Sequence, residues 1–501
     1  MLAYFVAFHL SNAFNLALNA HDYGIQVGAA RNAILHGNFY CDVINMNYLG
    51  DHFSPSLILL GPVLLISDHP VWILLIQNLL LLGSFYWAFR VFRIYLGKLA
   101  SWFVSLTLVA NVYFLEVFRH DFHIEALGLL LFLMLMHQLV SGKRDAKVFY
   151  PVLILLLGVK EDVALVLTGV FAFQFLRKFK REDLLLTLGC LVYFVLTMRF
   201  FMPFFSDGVY THMGRYQSLG NSPAEVIRNF FVEPWRFLAV IKWDSVNTLL
   251  KSFYYLPLLG FTEFLPALIP IYFNNASDYY LQSNFWWVHS YLILPILIAA
   301  SGDGLRLLGN LVEGKYFKLD FSKLFPSAFS EGFQLTSKAE ELLIFRIWTI
   351  LQRLPKTSWV WLFFLVFIIT SLLPRYKALL NDSYSIESVS KVWETNTHVV
   401  NALQERIKSK IPASSRIASC GELQPHLLGY SYSGFLGLPQ WDSLTFVNTD
   451  YLIFLEDRTP WPFGNDSSYA AYKQARLDAF APFYKDELFL VLKKKDVQAR
   501  P

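Results

Sequence analysis

Residues 119–131 read RHDFHIEALGLLL. Arg119, His120, Asp121, His123 and Glu125 stand directly against an apolar run that continues to Val140. An apolar run opened by ionisable groups is the signature of a helix that enters a low-dielectric medium from a polar surface. The segment has two readings. In the structural one, Asp121 caps the helix and Glu125 favours its positive end. In the other, these side chains form part of a reactive site.

Composition decides the medium. The 501 residues are 55% hydrophobic, 17% aromatic and only 16% charged, with a mean hydropathy of +0.41. Soluble domains hold roughly 25% charged residues. Several apolar runs approach the roughly 20 residues that cross a bilayer, so the chain reads as a polytopic α-helical membrane protein. A net charge of +4 spread thinly along the chain gives no basis for nucleic-acid binding. Cys41, Cys190 and Cys420 have no metal or redox spacing and read as free thiols, although Cys41 and Cys420 would pair if both faced an oxidising compartment.

Lys and Arg gather on the cytoplasmic side of membrane helices. Four clusters occur: Arg90, Arg93 and Lys98; Lys143, Arg144 and Lys147; Arg177, Lys178, Lys180 and Arg181; and the stretch from Arg306 to Lys356. Placing all four inside predicts about eleven spans within 1–374. A first helix over 2–18 retains its place in the membrane. Residues 19–68 then form an external loop, with an interfacial or re-entrant helix over 53–67. Residues 204–244 form an external segment and 309–356 a cytoplasmic connection, followed by the last span over 357–374. Residues 375–501 turn polar, with β-like runs at 416–419, 451–456 and 488–494 and a helical stretch at 467–480. They predict a small extracytoplasmic α/β domain.

This topology puts five polar motifs at the external ends of helices: HDYG (21–24), DHFSP (51–55), RHDFHIE (119–125), VKEDV (159–163) and WWVHSY (286–291). Ionisable groups at membrane depth cost roughly 2.5–3.5 kcal/mol each on the insertion scale, and they pair or line wet cavities. Capping accounts for one carboxylate per helix. It leaves unexplained the histidines beside Asp22, Asp51 and Asp121 and the Lys160–Glu161–Asp162 triplet. The expected acid–base groups are Asp22, Asp121, Glu125 and Glu161. The expected substrate contacts are His21, His52, Arg119, His123, Lys160, Asp162 and His289. In an extended turn Asp121, His123 and Glu125 share one side. With Asp51 they would make an oxygen-rich set suited to Mn²⁺ or Mg²⁺. No phosphate-binding glycine loop, dinucleotide fingerprint or serine nucleophile elbow is visible.

Taken in order, YGIQVGAARNAILHGNFY, DHFSPSLILLGPVLLI, DFHIEALGLLLFL, KEDVALVLTGVF, FLPALIPIYFNN, WWVHSYLILPILIAA and IPASSRIASCGELQPHLLG resemble a family of bacterial membrane proteins of unknown function. In that family the third motif usually reads DFHPE, and here Ile124 replaces the proline. The family is distantly similar to GT-C glycosyltransferases, which take sugars from polyprenyl-phosphate carriers outside the cytoplasmic membrane. The resemblance implies Asp22 as the first-loop base or metal ligand. It also implies Asp121, His123 and Glu125 as a second motif in which a histidine interrupts the usual acidic pattern. The implied partners are the bilayer, a lipid-linked sugar and a glycan, lipid or protein acceptor. The competing expectations are a transporter or lipid-binding protein, which would show a polar path from both sides, and an inactive scaffold of the same fold.

Overall fold

Residues 71–95 are apolar almost throughout, and they form one unbroken 25-residue helix, Val71–Tyr95. This helix is the hub of the transmembrane region: Leu2–Phe14, Lys98–Leu108, Glu125–Ser141 and Leu294–Val312 all pack on it. The computed structural model describes residues 2–14, 16, 18–108, 111–119, 121–206, 212–312, 397–437 and 445–495. Phe92, Phe114, Phe118, Phe122 and Phe132 fill the interior around the hub.

Among the described residues, two helical segments are long and apolar enough to cross a membrane, Val71–Tyr95 and Arg181–Phe205. Two bent pairs raise the number to four if each is one span: Lys98–Leu108 with Val112–Arg119, bent by 60°, and Tyr280–Ser290 with Leu294–Asn310, bent by 74°. The expectation of about eleven spans is therefore not reached. Glu125–Ser141 and Ala146–Leu157 are too short, at 17 and 12 residues. Glu161–Lys178 carries acidic residues in its first turn and basic ones in its last. Residues 245–274 break into pieces of at most ten residues. The 53–67 run is helical from Pro55 to Ile66, below the length of a span. The expected span over 357–374, most of the 309–356 connection and the start of the C-terminal domain lie outside the described residues.

Arg181–Phe205 shows what surrounds this fold. It is the more apolar of the two long helices, yet only 11% of its most apolar window is buried within the protein. Leu185, Val192, Phe200 and Phe204 are all more than half exposed. Apolar surface on this scale needs a non-aqueous neighbour, here lipid.

Between membrane helices the hydrophobic effect offers little, and close backbone approach takes its place. Gly260 and Gly304 make such a crossing. A Cβ at Gly260 would stand 2.0 Å from the Ala300 carbonyl oxygen, and one at Gly304 would stand 2.3 Å from that of Leu256. Neither obstacle is a flexible side chain. Gly260→Ala is expected to destabilise the protein by about 1–3 kcal/mol, measured as a lowered unfolding midpoint in detergent; an unchanged midpoint would show that the two segments separate freely.

The C-terminal part is a five-stranded mixed sheet in the spatial order Tyr432–Phe435, Arg416–Ser419, Tyr451–Leu455, Phe489–Lys494, Phe480–Lys485. The first three strands run parallel to one another, and the last two pair antiparallel. Tyr451–Leu455 is buried on both faces: Tyr451, Ile453 and Leu455 enter one apolar cluster, and Leu452 and Phe454 the other. The expected strands and the helix, Asp466–Gln474, are present. Tyr432–Phe435 and Phe480–Lys485 are additional strands, the latter with an irregular register at Pro482. All three cysteines are buried and free, so Cys41 and Cys420 do not pair.

Candidate functional site

The first loop enters the site through a tight turn. Asn19 is extended, and its side chain accepts the His21 backbone N–H, starting a π-helical turn over Ala20–Gly24. That turn lifts Asp22 while burying Tyr23. The Asn19 backbone N–H donates to Asp121 Oδ2 at 2.7 Å, so Asp121 is held by the first loop instead of capping the helix that follows. The first residue before that helix, Ile124, has no side-chain cap. Its buried N–H, which a proline would lack, donates to Gln26 Oε1 at 2.8 Å.

His123 joins the two motifs. Its Nδ1 lies 2.7 Å from the Asp121 carbonyl oxygen, an acceptor, so Nδ1 carries a hydrogen. Its Nε2 then faces Asp22 Oδ1 at 3.6 Å. Asp22 is one-third exposed while His123 is buried, so the carboxylate stands at the rim of the cluster. Burial disfavours the His123 cation, but the Asp22 carboxylate outweighs it and raises the pKa to about 9. Asp121 is pushed up to about 7, first by burial and then by the Asp22 charge.

The signs give a pH prediction. A histidine raised from 6.5 contributes stability that is complete below pH 6.5 and is lost as pH rises through about 9. The raised Asp121 opposes folding increasingly as pH climbs from 3.8 to about 7. The unfolding midpoint in detergent is therefore expected to fall between pH 6.5 and 9.5. Asp22→Asn should flatten that fall, and a fall of the same size in the variant would break the assignment.

Deeper in, Lys160 Nζ donates to Glu125 Oε1 at 2.9 Å, both side chains being buried. Glu161 accepts from His52, with Nδ1 3.0 Å from Oε1, and from the Phe53 N–H at 3.0 Å. The Tyr291 hydroxyl donates to Asp162 Oδ1 at 2.8 Å. These bonds run from HDYG to RHDFHIE, on to VKEDV, and from there to both DHFSP and WWVHSY. All five motifs thus form one seam. WWVHSY enters it on strained backbone, Phe285 and Trp287 both lying in the left-handed region at φ 59° and 57°; such residues cost about 1–3 kcal/mol each and persist where surroundings enforce them. His289 packs edge-on to Tyr279.

Some expected residues are placed differently. His21 is exposed, with its ring 6.1 Å from that of Trp461 in the C-terminal sheet region. Arg119 pairs with Glu116 one turn earlier. Asp51 lies 3.1 Å from His212 Nε2 and does not join Asp121. Among the described residues, Asp121, His123 and Glu125 do not bring three donor atoms within reach of one ion, whereas Asp51, His52 and His212 do. Asn19, Gln26, His212 and Tyr291 complete the seam without having been singled out from the sequence. Tyr291 lay inside a quoted motif, whereas a neutral amide carries no signal of its own.

The C-terminal sheet region covers the first loop. Ala20 N–H donates to the Gly421 carbonyl at 3.0 Å, Ser433 N–H to Asp42 Oδ2 at 2.9 Å and Tyr432 hydroxyl to Asn45 Oδ1 at 2.7 Å.

Among solved structures, the chain is similar to ArnT from Cupriavidus metallidurans bound to undecaprenyl phosphate. Identity is 12% and the TM-score 0.49, over 100% of this chain and 98% of that one. The apo form of the same protein gives 12% and 0.46, over 99% and 97%. At these values the likeness assigns neither activity nor ligand. No curated protein matches the chain significantly. Residues 12–330, which hold all five motifs, match the family described as "Predicted membrane protein (DUF2079)", and the chain belongs to that family.

Proposed function

We propose that this protein is a GT-C-like glycosyltransferase of the cytoplasmic membrane. It moves a sugar from a polyprenyl-phosphate donor to an acceptor on the extracytoplasmic face, where the C-terminal domain also lies. The observation that carries the reading is the Asp22 carboxylate at the rim of the seam, 3.6 Å from His123. A part-exposed carboxylate with a fixed neighbour can take a proton from an entering hydroxyl, as a general base does.

In this reaction the acceptor oxygen attacks the anomeric carbon. The bond from that carbon to the phosphate oxygen breaks, its electron pair leaves with the polyprenyl phosphate, and the hydroxyl proton passes to Asp22. His123 orients Asp22 from the buried side. Arg119, the less buried of the two expected cations, meets the donor phosphate, and guanidinium suits phosphate geometry. Lys160 is committed to Glu125 and positions the wall of the site. Glu161 and Asp162, each already hydrogen-bonded, hold His52 and Tyr291. The C-terminal domain and residues 204–244 cover the site and select the acceptor.

The test is incubation of the purified full-length chain with a panel of labelled polyprenyl-phosphate sugars. Loss of label from the lipid phase by transfer or hydrolysis supports the reading. If reconstituted vesicles instead move the intact labelled lipid or sugar across the membrane with no bond cleaved, the protein is a transporter.

A further inference from the structure

One cluster stands apart from the transfer step. Asp51, His52 and His212 bring three metal-ligating side chains together, with one donor atom from each lying within 4.8 Å of the others. His212 Nε2 is 3.1 Å from Asp51 Oδ1. The two imidazoles stack with centroids 4.4 Å apart and planes 12° from parallel. All three side chains are 16–20% exposed, shielded yet reachable.

The surroundings are those of a built site. His52 places Nδ1 3.0 Å from Glu161 Oε1, and Glu161 Oε2 is pinned by the Phe53 N–H at 3.0 Å. A histidine that gives Nδ1–H to a carboxylate presents Nε2 as its lone-pair donor, the usual support behind a metal-bound imidazole. The backbone brings the two halves together by close approach. Asp51 ends the short helix Tyr48–Asp51, which packs against Met202–Phe205. A Cβ at Gly50 would stand 2.7 Å from the Phe205 carbonyl carbon. Only a residue without a side chain admits that contact.

We infer that Asp51, His52 and His212 bind a divalent cation of the zinc class. Two imidazoles and one carboxylate suit Zn²⁺, or Co²⁺ as its stand-in, and leave a coordination position open. Mg²⁺ and Mn²⁺ prefer oxygen-rich sets. The inference does not depend on the transfer reaction, since its readout is metal binding.

The experiment uses the full chain in detergent, stripped with chelator and titrated with Zn²⁺ alone, with bound metal counted after gel filtration. Stoichiometric Zn²⁺ is expected, unaffected by a large excess of Mg²⁺, and Co²⁺ should give visible absorption bands of a low-coordinate nitrogen and oxygen site. His212→Gln and Asp51→Asn should each abolish the stoichiometric binding and the Co²⁺ bands. Glu161→Gln should weaken Zn²⁺ about 10–100-fold, while the exposed His36→Ala should change nothing. Circular dichroism and gel-filtration profile establish that each variant is folded. Should His212→Gln misfold, the Co²⁺ spectrum of Asp51→Asn decides, because a site elsewhere would leave it unaltered. The inference is overturned if the wild type binds no stoichiometric Zn²⁺, or if folded His212→Gln or Asp51→Asn binds it as well as the wild type.

Discussion

Asp22→Asn is expected to lower sugar transfer by about two to four orders of magnitude, the range removed with a general base, while the protein remains folded and still binds donor. The amide retains the size of the carboxylate and can keep its place 3.6 Å from His123, so the turn over Ala20–Gly24 has no reason to move. It loses only basicity and charge. Donor affinity, read by competition with unlabelled polyprenyl phosphate, should change little if Arg119, as proposed, meets the phosphate. The same substitution removes the charge that keeps His123 protonated up to about pH 9 and raises Asp121. A loss of activity accompanied by a flattened pH dependence of stability therefore identifies Asp22 as the centre of the cluster. Full activity in the variant would remove it from the reaction.

Lys160→Met is expected to have the largest effect on stability, about 3–5 kcal/mol. Glu125 and Lys160 are 3% and 9% exposed and pair at 2.9 Å. Among the described residues Glu125 Oε2 has no hydrogen-bond partner, so Lys160 is its chief compensation. Removing the ammonium leaves a buried carboxylate without the cation that pairs with it. Much of that cost is the stranded charge and not the worth of the pair. The double variant Glu125→Gln with Lys160→Met should therefore recover most of the loss, which unfolding midpoints in detergent will show. If Lys160→Met alone matched the wild type, water must reach Glu125, and the seam would be a wet cavity instead of a packed wall.

The clustering of the polar motifs was more legible in the sequence than the helix lengths. In an apolar chain every ionisable group at a helix end is conspicuous, and Asp22, His52, Asp121, His123, Glu125, Lys160, Glu161 and Asp162 stood out for that reason. Their pairing was less legible. That Lys160 neutralises a carboxylate follows from cost alone, but choosing Glu125 over its own neighbours Glu161 and Asp162 requires the geometry of two helix starts. The neutral partners, Asn19 and Gln26 above all, act through single hydrogen bonds that no composition reveals. His212 lay in a segment read only as an external connection. The described helices account for two to four of the expected spans by length and composition, because hydropathy sums apolar residues without seeing bends. The 99–117 run is bent by 60° between its two helices, and 245–274 is interrupted at Gly260 by a backbone crossing. In the C-terminal region the regular apolar strands were evident, whereas Tyr432–Phe435, with Gly434 inside it, is a strand only because Arg416–Ser419 lies beside it.

The most direct measurement is a cryo-electron-microscopy structure of the full chain in lipid nanodiscs with a polyprenyl-phosphate sugar bound. The account predicts the sugar seated at the Asp22 rim, its anomeric carbon facing the space between Asp22 and His123, the phosphate toward Arg119 and the polyprenyl chain running out between helices. A headgroup bound elsewhere, with Asp22 and His123 out of reach of the sugar, would contradict it.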